Sequence, residues 1–88
     1  MTNHCRVYMA YFDYKVQEDV FCEACGSPAV DIHHINGRGK EKDVIGNLIA
    51  LCRKHHDRAH SSKDHVTPGD FQLIHNYFLQ GQRRIFLK

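Results

Sequence analysis

The sequence predicts a small α+β fold in which a strand, a second strand or bend, and the helix that follows are stabilised by zinc. The first observation is a pair of knuckles, each with two metal-ligating side chains three positions apart, with 26 residues between the knuckles. The second is a segment rich in β-branched residues, AVDIHHI, between them. With 88 residues the chain is expected to form one domain, 1–88, whose hydrophobic core alone is marginal. Chains of this size often gain stability from a metal ion or a partner subunit, so the chain could also form a homodimer.

The N-terminal segment, residues 1–19, is rich in aromatic side chains. Tyr8, Tyr11 and Phe12 have the i, i+3, i+4 spacing of one helix face, which predicts an aromatic arm packed over the core. The segment FCEACGSP then indicates a tight turn, and AVDIHHI a strand. Neighbouring side chains on a strand point to opposite faces, so His33 and His34 cannot face the same side.

A polar, glycine-rich loop, NGRGKEKDVIG, separates this strand from NLIALC, which is interpreted as a second strand or a bend. RKHHDRAHSS then has helical character. A further helix is predicted from about residue 68 to about residue 80, because Thr67 can cap it, Pro68 suits its first position and Asp70 suits a capping box. Phe71, Ile74 and Phe78 would form its apolar stripe. Gly81 would end the helix as a C-cap. RRIFLK forms a basic and apolar tail.

The net charge of +2 says little, but the charges are unevenly distributed. From His33 to Lys63 there are seven lysine and arginine residues against three acidic ones, which suggests an anionic partner. The alternative is a solvated charged surface. The chain has no apolar run long enough to span a membrane and no signal-peptide core near Met1, so a cytoplasmic protein is expected. Paired cysteines in that compartment indicate metal ligands before disulfides.

The two knuckles have the spacing of a structural tetrahedral zinc site. Their side chains are Cys22, Cys25, Cys52 and His55. A set of three cysteines and one histidine is ordinary zinc chemistry, and the ion would supply the stability that a short chain lacks. The alternative is that the two pairs are unrelated. The fourth cysteine, Cys5, has no partner in this pattern and is interpreted as a free thiol.

Five of the eight histidines lie within a stretch of 28 residues, from His33 to His60. If His55 binds zinc, His56 and His60 remain, and their i, i+4 spacing places them on one face of a helix. Together with His33 or His34 they would form a three-imidazole site with an open position, as in catalytic metal sites. The alternative is that the helix histidines are exposed. The remaining histidines are expected to be structural or exposed, and they are His4, His65 and His75.

The order CEAC, VDIHHI and NLIALCRKHHDRAH, from Cys22 to His60, resembles the HNH nuclease family with its ββα-metal (His-Me finger) fold. The resemblance covers a little under half of the chain. It implies a nuclease core at residues 20–62, flanked by the aromatic N-terminal segment and the C-terminal helix. By matching position it implies that His34 is the general base. The metal ligands that it implies are His33, His56 and His60.

The resemblance also implies that Asn47 is the family's central asparagine, which either binds the metal or positions the base, and we favour the second role. Asp31 lies two residues before His33 on the same strand face. Its carboxylate could orient that histidine as a hydrogen-bond acceptor or, as a less favoured alternative, bind the metal itself.

The implied activity is metal-dependent hydrolysis of DNA phosphodiester bonds, with one divalent ion (Mg²⁺, Mn²⁺, Zn²⁺ or Ni²⁺) stabilising the phosphate and the leaving 3′ oxygen. Candidate phosphate contacts in the basic stretch are Arg38, Arg53, Lys54 and Arg58. No base-reading module is evident, so we expect weak sequence specificity, or specificity supplied by a partner or by DNA structure. The resemblance implies a nuclease of phage, mobile-element or restriction type. The alternative is a zinc-stapled nucleic-acid-binding module without catalysis, which would hold one metal per chain rather than two.

Overall fold

The computed structural model describes residues 1–82 and 86–87. In chain order its elements are α1 (Asn3–Tyr11), β1 (Asp31–His34), β2 (Leu48–Leu51), α2 (Arg53–Arg58) and α3 (Pro68–Leu79). Single-turn 3₁₀ segments lie at Gln17–Asp19, Lys40–Lys42 and Ile45–Asn47. The small α+β class is confirmed, as is the order of two strands and a helix that a ββα-metal fold requires. Within the described ranges, no helix is long and apolar enough to cross a membrane.

The two strands form an antiparallel hairpin in which Ile32 lies opposite Ala50 and His34 lies opposite Leu48. Directly opposed residues point to the same face of a hairpin. The face that carries these four side chains packs against α1, and the opposite face packs against α3. All four residues of β2 are buried because both faces are covered. His33, on the alternate position of β1, therefore faces away from His34.

The aromatic residues of α1 divide between the core and the solvent. Tyr8 is fully buried, and its ring centroid lies 4.8 Å from that of Phe12. Tyr11, the last residue of the helix, is 57% exposed. Tyr8 and Phe12 therefore form the buried part of the predicted aromatic arm, while the Tyr11 ring contacts Phe12 at 4.9 Å from the solvent side.

The capping box predicted for α3 is present. The Thr67 hydroxyl accepts a hydrogen bond from the Asp70 N–H at 3.1 Å, and the Asp70 carboxylate accepts one from the Thr67 N–H at 3.2 Å. Pro68 occupies the first helical position, and the helix ends at Leu79. Gly81 follows with a φ of +82°, a left-handed conformation that glycine adopts without strain. The predicted apolar stripe is buried and comprises Phe71, Ile74 and Phe78.

The C-terminal tail lies against the first knuckle. The backbone N–H groups of Phe86 and Leu87 donate to the Ala24 carbonyl at 2.8 and 3.1 Å, and both side chains pack against the core. The other residues of the predicted basic and apolar tail lie outside the described residues, and they are Arg83, Arg84, Ile85 and Lys88.

α2 is shorter than the helical segment predicted from the sequence. It ends at Arg58, and the chain continues in a tighter turn in which the His60 N–H donates to the Asp57 carbonyl at 3.0 Å. His60 therefore lies just beyond the helix. Its ring centroid is nevertheless 5.5 Å from that of His56, so the two side chains are neighbours, as the i, i+4 spacing predicted.

Candidate metal centres

The four side chains of the two knuckles converge on one point. Their ligating atoms, from Cys22, Cys25, Cys52 and His55, all lie within 4.8 Å of one another. The Sγ atoms of Cys25 and Cys52 are 3.8 Å apart, and Nδ1 of His55 is 3.3 Å from Cys52 Sγ. A tetrahedral site with Zn–S bonds of about 2.3 Å places its ligand atoms about 3.8 Å apart. The cluster could therefore bind a structural zinc ion.

Local backbone structure positions these ligands. In the first knuckle the Gly26 N–H donates to the Cys22 carbonyl at 2.8 Å, and the glycine adopts a φ of +82°. In the second knuckle Cys52 is the N-cap of α2, so His55 follows on the first turn of that helix. Burial raises the pKa of the Cys22 thiol to about 12. A bound cation is the partner that would stabilise its thiolate at neutral pH, which fits a metal site.

Three histidines form a second cluster at the junction of β1 and α2. The ligating atoms of His33, His56 and His60 lie within 4.8 Å of one another. Burial and the two neighbouring imidazoles lower the pKa of His33 to about 4. The ring is therefore neutral at pH 7, which is the protonation state that binds a metal. The structure thus brings together the three imidazoles that the sequence placed at one site.

Asp31 contacts a different histidine from the one expected. Its Oδ2 atom lies 3.1 Å from Nε2 of His56, whereas the sequence favoured an interaction with His33. Asp31 and His33 share a strand face, but α2 crosses that face and brings His56 within reach of the carboxylate. Nδ1 of His56 is buried and has no hydrogen-bond partner among the described residues. A carboxylate on one ring nitrogen and an unpartnered lone pair on the other is the arrangement of a metal-ligating histidine.

A third group lies on the opposite face of the hairpin, around His34. Its Nε2 atom lies 2.7 Å from Oδ1 of Asp43, and its ring centroid is 4.5 Å from that of His4. Asn3 donates from Nδ2 to the other Asp43 oxygen at 3.0 Å. The hydrogen bonds from Asn3 and His34 lower the pKa of Asp43, so the carboxylate is ionised at neutral pH. Nδ1 of His34 is buried and, within the described ranges, has no hydrogen-bond partner.

The contacts around His34 were not predicted from the sequence. Asp43 lies nine residues further along the chain in a loop whose sequence is polar but shows no other pattern, and His4 lies 30 residues before His34 in the N-terminal helix. No periodicity connects the three positions, because the loop between the strands and the packing of α1 bring them together. The signal that could have indicated Asp43 is its position in the loop that must return to the end of β1.

Asn47 uses its amide to fix the loop between the strands. Its Oδ1 atom accepts from the Asn36 N–H at 2.8 Å, and its Nδ2 atom donates to the carbonyls of Gly37 and Lys42 at 3.2 and 3.0 Å. These three hydrogen bonds join the two ends of the loop. The amide oxygen and the amide nitrogen thus both bond to the backbone of this loop.

The candidate phosphate contacts are unequal in exposure. Arg38, Arg53 and Lys54 are exposed. Arg58 is half-buried, and its Nε atom donates to the Asp64 carbonyl at 3.0 Å and lies 3.5 Å from the Asp64 carboxylate. Three of the four side chains are thus available to an anionic ligand, while the fourth already stabilises the turn after α2.

A buried polar network that the sequence did not indicate lies beside the first knuckle. Glu23 accepts from the Tyr8 hydroxyl at 2.5 Å and lies 2.8 Å from Nδ1 of His75. Nε2 of His75 donates to the Ile45 carbonyl at 2.6 Å. All three side chains are almost fully buried. His75 was expected to be structural or exposed, and it is structural. Its hydrogen bonds join α3 to the first knuckle, which Tyr8 joins to α1.

The antiparallel hairpin, the following helix and the cysteine–histidine cluster at their base define a ββα-metal domain with a zinc-type knuckle site. Residues 22–62, just under half of the chain, match the model of the HNH endonuclease family. Over this segment the chain's resemblance to the HNH endonucleases is confirmed.

The chain is similar to the uncharacterized protein YdfU of Escherichia coli (strain K12), with 41% identity over 46 residues. The match covers 46% of this chain and 13% of that protein, so the chain corresponds to a small part of its relative. No solved structure matches the chain at a significant level.

Proposed function

We propose that the chain is a metal-dependent endonuclease that hydrolyses phosphodiester bonds in DNA. The observation that supports this most directly is the different environment of two neighbouring histidines. His33 belongs to a three-imidazole cluster, and His34, on the opposite face, is held by the Asp43 carboxylate. A ligand set beside a base is the pairing that metal-assisted hydrolysis requires. The family match over residues 22–62 supports the same activity.

In this proposal His34 is the general base. Because Asp43 is ionised, Nε2–H of His34 donates to it, which leaves the lone pair on Nδ1. Nδ1 is buried in the free chain, so the proposal requires that DNA binding admits a water molecule to it. Nδ1 takes a proton from that water, the hydroxide attacks the phosphorus, and the 3′ oxygen leaves. Asp43 stabilises the imidazolium that results.

His33, His56 and His60 would hold the divalent ion. When bound, the ion supplies Lewis-acid stabilisation of the scissile phosphate and of the leaving 3′ oxygen. Asp31 accepts from Nε2–H of His56 and so assigns Nδ1 as the ligand atom of that histidine. Three imidazoles accept Mn²⁺, Ni²⁺ or Zn²⁺ readily and Mg²⁺ less well.

Asn47 acts as a positioning residue in this proposal. Its amide joins the two ends of the loop that carries Asp43, and Asp43 in turn holds His34. The exposed side chains of Arg38, Arg53 and Lys54 are the phosphate contacts that we propose for the DNA backbone.

The test is cleavage of supercoiled plasmid by the wild type, by His56→Ala and by a matched control, His65→Ala, each assayed with Mg²⁺, Mn²⁺, Ni²⁺ and Zn²⁺. His65 is exposed and lies outside the three clusters. The wild type and His65→Ala are expected to nick the plasmid with at least one of these ions, while His56→Ala loses most of that activity. If no ion supports cleavage while a gel-shift assay shows binding, the chain is a zinc-stapled nucleic-acid-binding module instead.

A further inference from the structure

Three side chains that can ligate a metal meet on the α1 face of the hairpin, apart from the knuckle cluster and from the three-imidazole cluster. They come from α1, β1 and the loop between the strands, and they are His4, His34 and Asp43. Their ligating atoms lie within 4.8 Å of one another. His4 and its neighbour Asn3 lie outside the segment that matches the HNH family, so this group is a property of the whole chain rather than of the matched segment.

We propose that His4, His34 and Asp43 form a second divalent-cation site, selective for ions such as Zn²⁺, that blocks the general base when it is filled. Two imidazoles and one carboxylate are a ligand set of known zinc sites, and imidazole nitrogen favours Zn²⁺, Ni²⁺ and Co²⁺ over Mg²⁺. A fourth position would be left to water.

The surroundings of the three side chains support a built site. The side chains of His34 and Asp43 are only 5% and 15% exposed, so their positions are fixed by packing. Asn3 donates to Oδ2 of Asp43 and thereby leaves Oδ1 for the site. Outer hydrogen bonds of this kind orient metal ligands. The Thr2 hydroxyl, which caps α1, lies 3.4 Å from Nε2 of His4.

The buried position of the His34 ring determines what a bound ion would do to it. His34 is more than nine-tenths buried, and its Nδ1 atom has no hydrogen-bond partner in the described part of the chain. A neutral imidazole carries one proton, which at present lies on Nε2 and is shared with Asp43. An ion that replaces this proton at Nε2 obliges the proton to move to Nδ1. The ring still carries one proton, but the lone pair on Nε2 now binds the ion and Nδ1 no longer has a free lone pair.

The effect on activity rests on the proposed function, whereas the binding of the ion does not. With the proton on Nδ1, His34 cannot accept another from water, so a filled site would inhibit hydrolysis. The device would make the nuclease sensitive to zinc through a site distinct from the three-imidazole cluster of His33, His56 and His60.

The binding test is dialysis of the full chain against free Zn²⁺, followed by elemental analysis. The variants are His4→Gln and Asp43→Ala, with His65→Gln as the matched control, and circular dichroism checks that each is folded. His4→Gln and Asp43→Ala are expected to retain one zinc ion fewer per chain than the wild type, and His65→Gln the same number. Retention of the wild-type number by both folded site variants would overturn the proposal.

The activity test adds Zn²⁺ to plasmid cleavage supported by Mn²⁺. His4 has no role in the proposed hydrolysis, so His4→Gln is expected to cleave at the wild-type rate without added zinc. The zinc concentration that halves its rate should be at least about tenfold higher than for the wild type, because loss of a ligand weakens metal affinity at least that much. Equal inhibition of both proteins would overturn the inhibitory role. If the wild type cleaves no DNA, the proposed nuclease function fails, and the dialysis result still decides the cation site.

Discussion

Nε2 of His34 lies 2.7 Å from Oδ1 of Asp43, at the end of the first strand and in the loop that follows it. A second carboxylate–imidazole contact, Asp31 with His56 at 3.1 Å, lies on the opposite face of the same hairpin. Each contact occupies Nε2 and leaves a buried Nδ1 that has no partner among the residues that the structure describes. Two imidazoles with fixed tautomers, on either side of one strand, are thus the central geometric feature of the chain.

Asp43→Asn is expected to lower kcat for plasmid cleavage by at least about tenfold, with little change in KM. An asparagine amide can donate to Nε2 of His34, which would move the ring proton to Nδ1 and remove the base. Steady-state cleavage of plasmid DNA measures the effect. Asp57→Asn is the matched control, because Asp57 is exposed and its carboxylate lies 4.0 Å from Arg53, away from His34. An unchanged kcat in Asp43→Asn would contradict the assigned tautomer.

Cys52→Ser is expected to lose the structural zinc ion and to lower Tm by at least about 10 °C, because metal binding in a small domain contributes directly to folding. Cys5→Ser is the matched control, since Cys5 lies outside the knuckle cluster. Thermal unfolding followed by circular dichroism, together with zinc analysis, measures both. The structural role of the knuckles would be wrong if the two variants had the same Tm and the same zinc content.

Asn47→Ala removes three hydrogen bonds that join the ends of the loop between the strands. At about 1 kcal/mol for each bond, the free energy of unfolding should fall by about 2–4 kcal/mol. Urea unfolding measures it. Asn76→Ala, which removes one exposed contact to Gln72, should change stability by less than about 0.5 kcal/mol. A fall in Asn47→Ala no larger than in this control would show that the loop does not depend on the amide.

Tyr8→Phe deletes the hydroxyl that donates to the buried Glu23 carboxylate. Burial raises the pKa of Tyr8, so the hydroxyl is protonated and is a donor throughout the neutral range. Its loss should cost about 1–3 kcal/mol of unfolding free energy, because Glu23 stays buried with one donor fewer. Tyr11→Phe, at an exposed position, should be neutral in the same urea experiment. Equal stability of the two variants would remove the proposed importance of the network.

The sequence was most informative where chemistry is encoded by local spacing. Each of these features spans only four or five residues, so its spacing indicates which side chains meet. They are each single knuckle, the capping box of Thr67 and Asp70, and the His56–His60 pair. The strand alternation also separated His33 from His34 correctly onto opposite faces.

The remaining contacts depend on how separate elements pack. Asp43 reaches His34 only because the loop returns to β1, and His4 reaches it only because α1 covers that face. Glu23 and His75 are 52 residues apart, and each alone resembles a surface residue. Asp31 was assigned to the nearest histidine in sequence, while the crossing of α2 paired it with His56. The roles of these residues in cleavage, the single domain over residues 1–88 and the homodimer stay predictions.

The proposed hydrolysis depends on His34 as the general base of a metal-dependent nuclease. Single-turnover cleavage of supercoiled plasmid in Mn²⁺ tests it with the wild type, His34→Ala and the exposed control His65→Ala. We expect His34→Ala to be slower by at least about 100-fold, and His65→Ala to match the wild type. Equal cleavage by the wild type and folded His34→Ala would contradict the account.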